Sequence, residues 1–192
     1  MAKEIMPFFH YRMDILAHTL WAAAGARGLN AKTKKRMFNV GWTAFFGVFP
    51  DLFAFGIPIL ISTPSMIRDG FRITAHVHHE LSPILYQYSH SIVIWAIVFI
   101  VVWIIFKRPA LFLLGWVLHI LIDIPSHAGN FYPTPFLFPI SDWKFLHGIS
   151  WANKWYMIIN YSLLLFVYLY LLIRDYNYRK KMKEARDYLD NK

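Results

Sequence analysis

Apolar residues along this chain come in long, nearly unbroken runs, without the strict alternation of a half-buried strand. Five such segments can be drawn, at about 13–28, 38–62, 88–106, 110–126 and 155–173. The third, "YSHSIVIWAIVFIVVWIIF", and the fifth, "WYMIINYSLLLFVYLYLLI", are nearly uncharged and reach the roughly 20 residues a membrane-spanning helix needs. The first is short for a full span and reads either as interfacial or as packed inside a bundle. Between the runs stand "NAKTKKR" (30–36), a polar stretch expected as a loop (63–87), the short "KRPA" (107–110) and an aromatic, proline-bearing loop (127–154). The pattern predicts an all-α, polytopic membrane helix bundle of about five apolar segments, with a broken helix near Pro50. No internal repeat interrupts it, so one membrane domain over 1–174 and a basic cytoplasmic tail over 175–192 describe the chain.

Composition agrees, since 57% of the 192 residues are apolar and 19% aromatic. The sequence holds no cysteine, which excludes disulfides and thiolate metal sites and leaves His and carboxylate as ligands. A net charge of +9 would suit nucleic acid, but the cations flank the apolar runs. Fourteen of the twenty Lys and Arg residues fall in 27–36, 107–108 and 174–192, which alternation of spans places on one side. That side is expected to be cytoplasmic, giving a multi-pass protein of the cell (inner) membrane with its amino terminus outside and no nucleic-acid partner. Lys3 and Arg12 before "LWAAAGARG" imitate a secretory signal, but Asp14 and His18 interrupt its apolar region.

Candidate chemistry begins at "LHILIDIPSH" (118–127), where His119, Asp123 and His127 recur every fourth residue of an apolar helix. Such a spacing puts them along one drifting face. An embedded Asp costs roughly 2.5–3.5 kcal/mol at a helix centre unless it has a partner. Counted at about 1.5 Å per residue from each cytoplasmic end, His18 sits about 15 Å up, Asp51 about 19 Å, His90 about 24 Å, His119 about 14 Å and Asp123 about 19 Å. Hydropathy does not require that convergence. A divalent cation held by imidazole and carboxylate, zinc first and manganese as an alternative, would satisfy all of them. Plainer roles exist: a lone His18 or His90 can be a bundle-facing hydrogen-bonding group, and Asp51 can cap a break after Pro50. "HVHHE" (76–80) reads as solvated surface or an accessory site, His147 as interface packing or part of a lid, and Trp143, Trp151, Trp155 and Tyr156 as an interfacial belt.

The ordered set "AHT" (17–19), "FPD" (49–51), "SHS" (89–91) and "HILID" (119–123) resembles the membrane-bound metal-dependent hydrolases of the YdjM type, a family distantly similar to zinc-dependent phospholipase C. The resemblance covers roughly residues 14–165. It implies that Asp51, His90, His119 and Asp123 surround one metal, and that His18 and a bridging Asp123 help bind a second. After "PD" this chain has "LFAF", where many relatives carry a further acidic residue. His127 joins the set by its spacing alone. The function expected is hydrolysis of a phosphoester, such as a lipid or phospholipid-like head group, by metal-activated water, with Asp51 or Asp123 relaying the proton. The rivals are an ion- or proton-coupled transporter, whose embedded Asp and His would form a path, and an inactive membrane scaffold.

Overall fold

The computed structural model describes residues 12–33, 35–68, 75–127, 129 and 132–191, and among these it is helical with no sheet. Helix α1 (Arg12–Thr33) leads to α2 (Val40–Asp51), a π-helical turn (Leu52–Gly56) and α3 (Ile57–Arg68). Then come α4 (Ala75–Ser89), α5 (Ile92–Phe106), a 3-10 turn (Leu111–Leu113), α6 (Leu114–Ser126) and α7 (Lys154–Asp190). Lys3 lies outside the described residues.

The core is the junction of α1, α2 and α6, and two glycines set how closely their backbones approach. A Cβ on Gly47 would stand 2.5 Å from the Ala22 Cβ and 2.8 Å from the His18 carbonyl, so α1 and α2 meet with almost no side chain between them. A Cβ on Gly115 would overlap the Thr43 carbonyl of α2. Ala17, Ala22, Ala24 and Ala26 extend this small-residue contact along α1, the way helices pack when dispersion rather than water exclusion holds them together. Side-chain bonds tie α7 to the other face of α1: the Trp21 indole donates to Asn160 Oδ1 at 2.8 Å, and the Tyr168 hydroxyl donates to the Leu20 carbonyl at 3.0 Å.

The expected break near Pro50 takes the form of a π turn. Helical structure runs on from Val40 to Pro64, and the missing N–H groups of Pro50 and Pro58 bracket the wide turn at Leu52–Gly56. The stretch expected as a polar loop at 63–87 is instead largely helical, as the end of α3 and most of α4. Its prolines, Pro64 and Pro83, are carried inside helices. "HVHHE" is therefore in the first turns of α4, and its side chains lie outside the described residues. The basic tail is the continuation of α7, a helix of 37 residues.

Two helices are long and apolar enough to cross a membrane, Val40–Pro64 and α7. A third span results if Leu81–Ser89 and α5, bent by 61°, count as one. Helix α1 is too polar by this measure, and Leu111–Ser126 would rise only about 24 Å against a hydrocarbon core of about 30 Å. Helix α5 buries none of its residues, and Ile104, Ile105 and Phe106 are each 60–65% exposed, an apolar surface of the kind that a protein partner or a membrane covers. Of the aromatic residues expected at an interface, Trp143 and Trp155 are exposed, whereas Trp151 is buried, its N–H donated to the Ser126 carbonyl at 2.8 Å.

Candidate metal centre

Helix α6 supplies the centre of the cluster. Its buried positions Gly115, Trp116, His119, Ile120, Asp123 and Ser126 fall at helical spacing, and this stripe faces α1 and α2. His119 and Asp123 thereby project to one side of α6. His18 arrives from α1, Asp51 from the last residue of α2, and His90 from the bend between α4 and α5. Ser91 begins α5 there, its hydroxyl accepting the Ile94 N–H at 3.1 Å, so the chain turns at His90 with its backbone satisfied.

The side chains converge closely. His119 Nε2 lies 3.1 Å from His90 Nε2, 3.2 Å from Asp123 Oδ2 and 3.7 Å from Asp51 Oδ1. His90 Nε2 is 3.3 Å from Asp123 Oδ2 and 3.5 Å from Asp51 Oδ1. Two donors held at about 2.0–2.1 Å from one tetrahedral ion stand ~3.3 Å apart, close to these five separations. On the far side of the bridging carboxylate, Asp123 Oδ1 is 3.1 Å from His18 Nε2 and 3.9 Å from His127 Nε2. The structure thus brings together all six of the candidate residues His18, Asp51, His90, His119, Asp123 and His127. His127 stands just past the end of α6 in extended backbone rather than on the helical face that its spacing suggested. His147 is elsewhere, exposed in the loop with its ring 6.1 Å from Phe145.

Hydrogen bonds behind the rings decide which nitrogens face inward. A carbonyl can only accept, so the 2.8 Å contact of His119 Nδ1 with the Gly47 carbonyl puts the proton on Nδ1 and the lone pair of the neutral ring on Nε2. The Tyr132 carbonyl, 2.9 Å from His127 Nδ1, does the same for His127. The Tyr86 hydroxyl is 2.9 Å from that Nδ1 and donates to the same carbonyl, while the Ser89 hydroxyl holds His90 Nδ1 at 2.9 Å. Outer partners of this kind orient metal-ligating histidines.

Charge tests the fit. Asp123 is 1% exposed, neither of its oxygens accepts a hydrogen bond of adequate geometry, and Asp51 faces the same space. Protonated rings, such as His18 at 3.1 Å from Asp123 Oδ1 and His90 at 3.3 Å from Asp123 Oδ2, would pair with the carboxylates only by burying several charged groups together, at a cost of several kcal/mol. A cation meets nitrogens and carboxylates together. Two overlapping groups, His18 with His119 and Asp123, and Asp51 with His90 and His119, have ligand atoms near enough to hold a metal ion.

Tyr86, Ser89 and the Gly47 carbonyl were not among the residues expected at the site. Tyr86 precedes His90 by one helical turn, and their rings stack at 3.7 Å; that spacing was the available signal. A backbone carbonyl on another helix leaves no trace in the sequence. No family model, curated protein or solved structure matches the chain.

Proposed function

We propose that the protein is a membrane-embedded metal-dependent hydrolase acting on a phosphoester, a lipid or phospholipid-like head group, in the manner of the YdjM-type enzymes. The observation that carries the reading is the buried pair of overlapping groups, Asp51 with His90 and His119, and Asp123 with His18 and His119, whose ligand atoms lie near enough to hold a metal ion, with the His119 Nε2 lone pair turned inward. Nitrogen and oxygen donors without thiolate suit zinc, and manganese next. Such a cation supplies Lewis acidity and, for zinc, brings water to a pKa of about 7.

The residues divide the remaining work. Asp51 is the most open member of the set, its side chain 13% exposed against 0–1% for His90, His119 and Asp123. It faces arriving substrate and accepts the proton of the attacking water. Asp123, with one oxygen toward His90 and His119 and the other toward His18 and His127, holds the two halves of the cluster in register. The exposed Leu52 beside Asp51 gives an apolar approach suited to an acyl chain. In the full reading α1 and α6 complete a five-span bundle, with the cluster toward the non-cytoplasmic side and the basic end toward the cytoplasm.

The test is elemental analysis of detergent-purified protein alongside hydrolysis of phosphomonoester and phosphodiester probes. Near-stoichiometric zinc or manganese, lost in Asp123→Ala and His119→Ala together with hydrolysis, is the expected result. Wild-type protein that takes up no divalent metal after supplementation would sink the reading. Metal without hydrolysis of any phosphoester would leave a metal-binding scaffold.

A further inference from the structure

A concave feature lies away from the metal cluster. A cleft of about 1260 Å³ opens where the end of α1, the approach to α2, the turn between α5 and α6, and α7 come together. Arg27 on α1 is nine residues beyond His18, and Asn39 twelve before Asp51, so the cleft is roughly 14–18 Å along the helices from the cluster.

Its lining is lopsided in charge. Arg27, Lys35, Arg36, Arg108 and Arg174 face one carboxylate, Asp175. That carboxylate is shared between Arg27, at 2.9 Å, and Arg174, at 2.8 Å. Lys35, Arg36 and Arg108 have no acidic partner among the described residues. The opposite wall is apolar, built from Val102 and Phe106 of α5 and from Phe112. It continues outward onto the exposed apolar side of α5, where Ile105 is 65% exposed.

We propose that this cleft binds the phosphate head group of an anionic phospholipid, with the acyl chains lying along α5. Three uncommitted cations give the phosphate charge-assisted hydrogen bonds, and basic pockets between spans are where such head groups bind. The apolar wall selects among anions: inorganic phosphate makes no use of Val102, Phe106 and Phe112, and an acidic peptide or nucleic acid would have to lie against the acyl-facing surface of α5. The inference rests on the membrane reading of the chain and is independent of the metal.

The experiment is native mass spectrometry of the full chain in detergent, titrated with dioleoylphosphatidylglycerol or with dioleoylphosphatidylcholine. Wild-type protein is expected to prefer the anionic lipid. The variant Lys35→Gln/Arg36→Gln/Arg108→Gln is expected to lose that preference, by roughly fivefold in affinity per cation removed, and to bind the zwitterionic lipid as before. Single Arg108→Gln should move the same way by a smaller step, which covers the case of a triple variant that folds poorly. Lys180→Gln/Lys181→Gln/Lys183→Gln, on the exposed extension of α7, should keep the preference. Equal binding of the two lipids by wild type overturns the proposal, as does a preference that follows the α7 variant instead of the cleft variant. Inorganic phosphate that binds wild type as tightly as the anionic lipid does would also overturn it, because the apolar wall would then contribute nothing and a soluble phosphate would suffice as ligand.

Discussion

Tyr86 serves the cluster twice, through a ring stacked on His90 at 3.7 Å and a hydroxyl 2.9 Å from His127 Nδ1. The substitution Tyr86→Phe separates the two roles, since it keeps the ring and removes the hydroxyl. Loss of an outer hydrogen bond to a metal-ligating histidine typically lowers metal affinity by about 10–100-fold. We expect Tyr86→Phe to weaken metal binding by about tenfold in competition with a chromophoric chelator, with little change in melting temperature. Unchanged affinity would mean that the Tyr132 carbonyl alone holds His127. Asp123 is the opposite case: with its two oxygens turned toward four imidazoles from three segments, its replacement cannot be compensated by any single neighbour.

At the scale of the elements, the approach of α6 to α2 brings His119 to the Gly47 carbonyl, and Gly115 permits that approach. Gly115→Ala would press a methyl group against the Thr43 carbonyl and within 3.0 Å of the Gly47 nitrogen, both backbone atoms that cannot rotate away. Overpacking of this kind costs about 1–3 kcal/mol. We expect a lower melting temperature and less bound metal, as α6 moves off α2 and the His119 hydrogen bond lengthens. Gly28→Ala is the matched control, because nothing lies within 4 Å of a Cβ there. It should leave metal content unchanged and stability equal or higher, an Ala being about 1 kcal/mol the better helix former. Equal losses in both variants would remove the close-approach argument.

For the whole molecule, the two chemistries sit at opposite ends of the same helices: the His and Asp cluster near one end, the basic cleft near the other. A cysteine-free chain makes their sidedness directly testable. Single cysteines at Lys107 and Lys180 should react with a membrane-impermeant maleimide only after permeabilisation, and one at Asp142 in intact cells. The reverse pattern would invert the orientation, and reaction at all three positions in intact cells would argue against a membrane-spanning arrangement.

The long apolar runs determined a helical chain suited to lipid, because environment preference is a local property that survives without neighbours. The ligand-type residues were legible for the same reason: His18, Asp51, His90, His119 and Asp123 are costly in apolar runs, and a depth ruler along each run put them in one band of about 14–24 Å. Boundaries were less legible. The polar character of 63–87 suggested a loop, yet α3 and α4 run through most of it and carry Pro64 and Pro83 inside helices. Only the tertiary structure decided which atoms meet: the Gly47 carbonyl behind His119, Tyr86 behind His127, and a cleft gathered from residues 27–41, 102–112 and 174–178. Each depends on how closely separate helices approach, which is set by glycines and alanines on two helices at once and so is written in no single stretch of the chain.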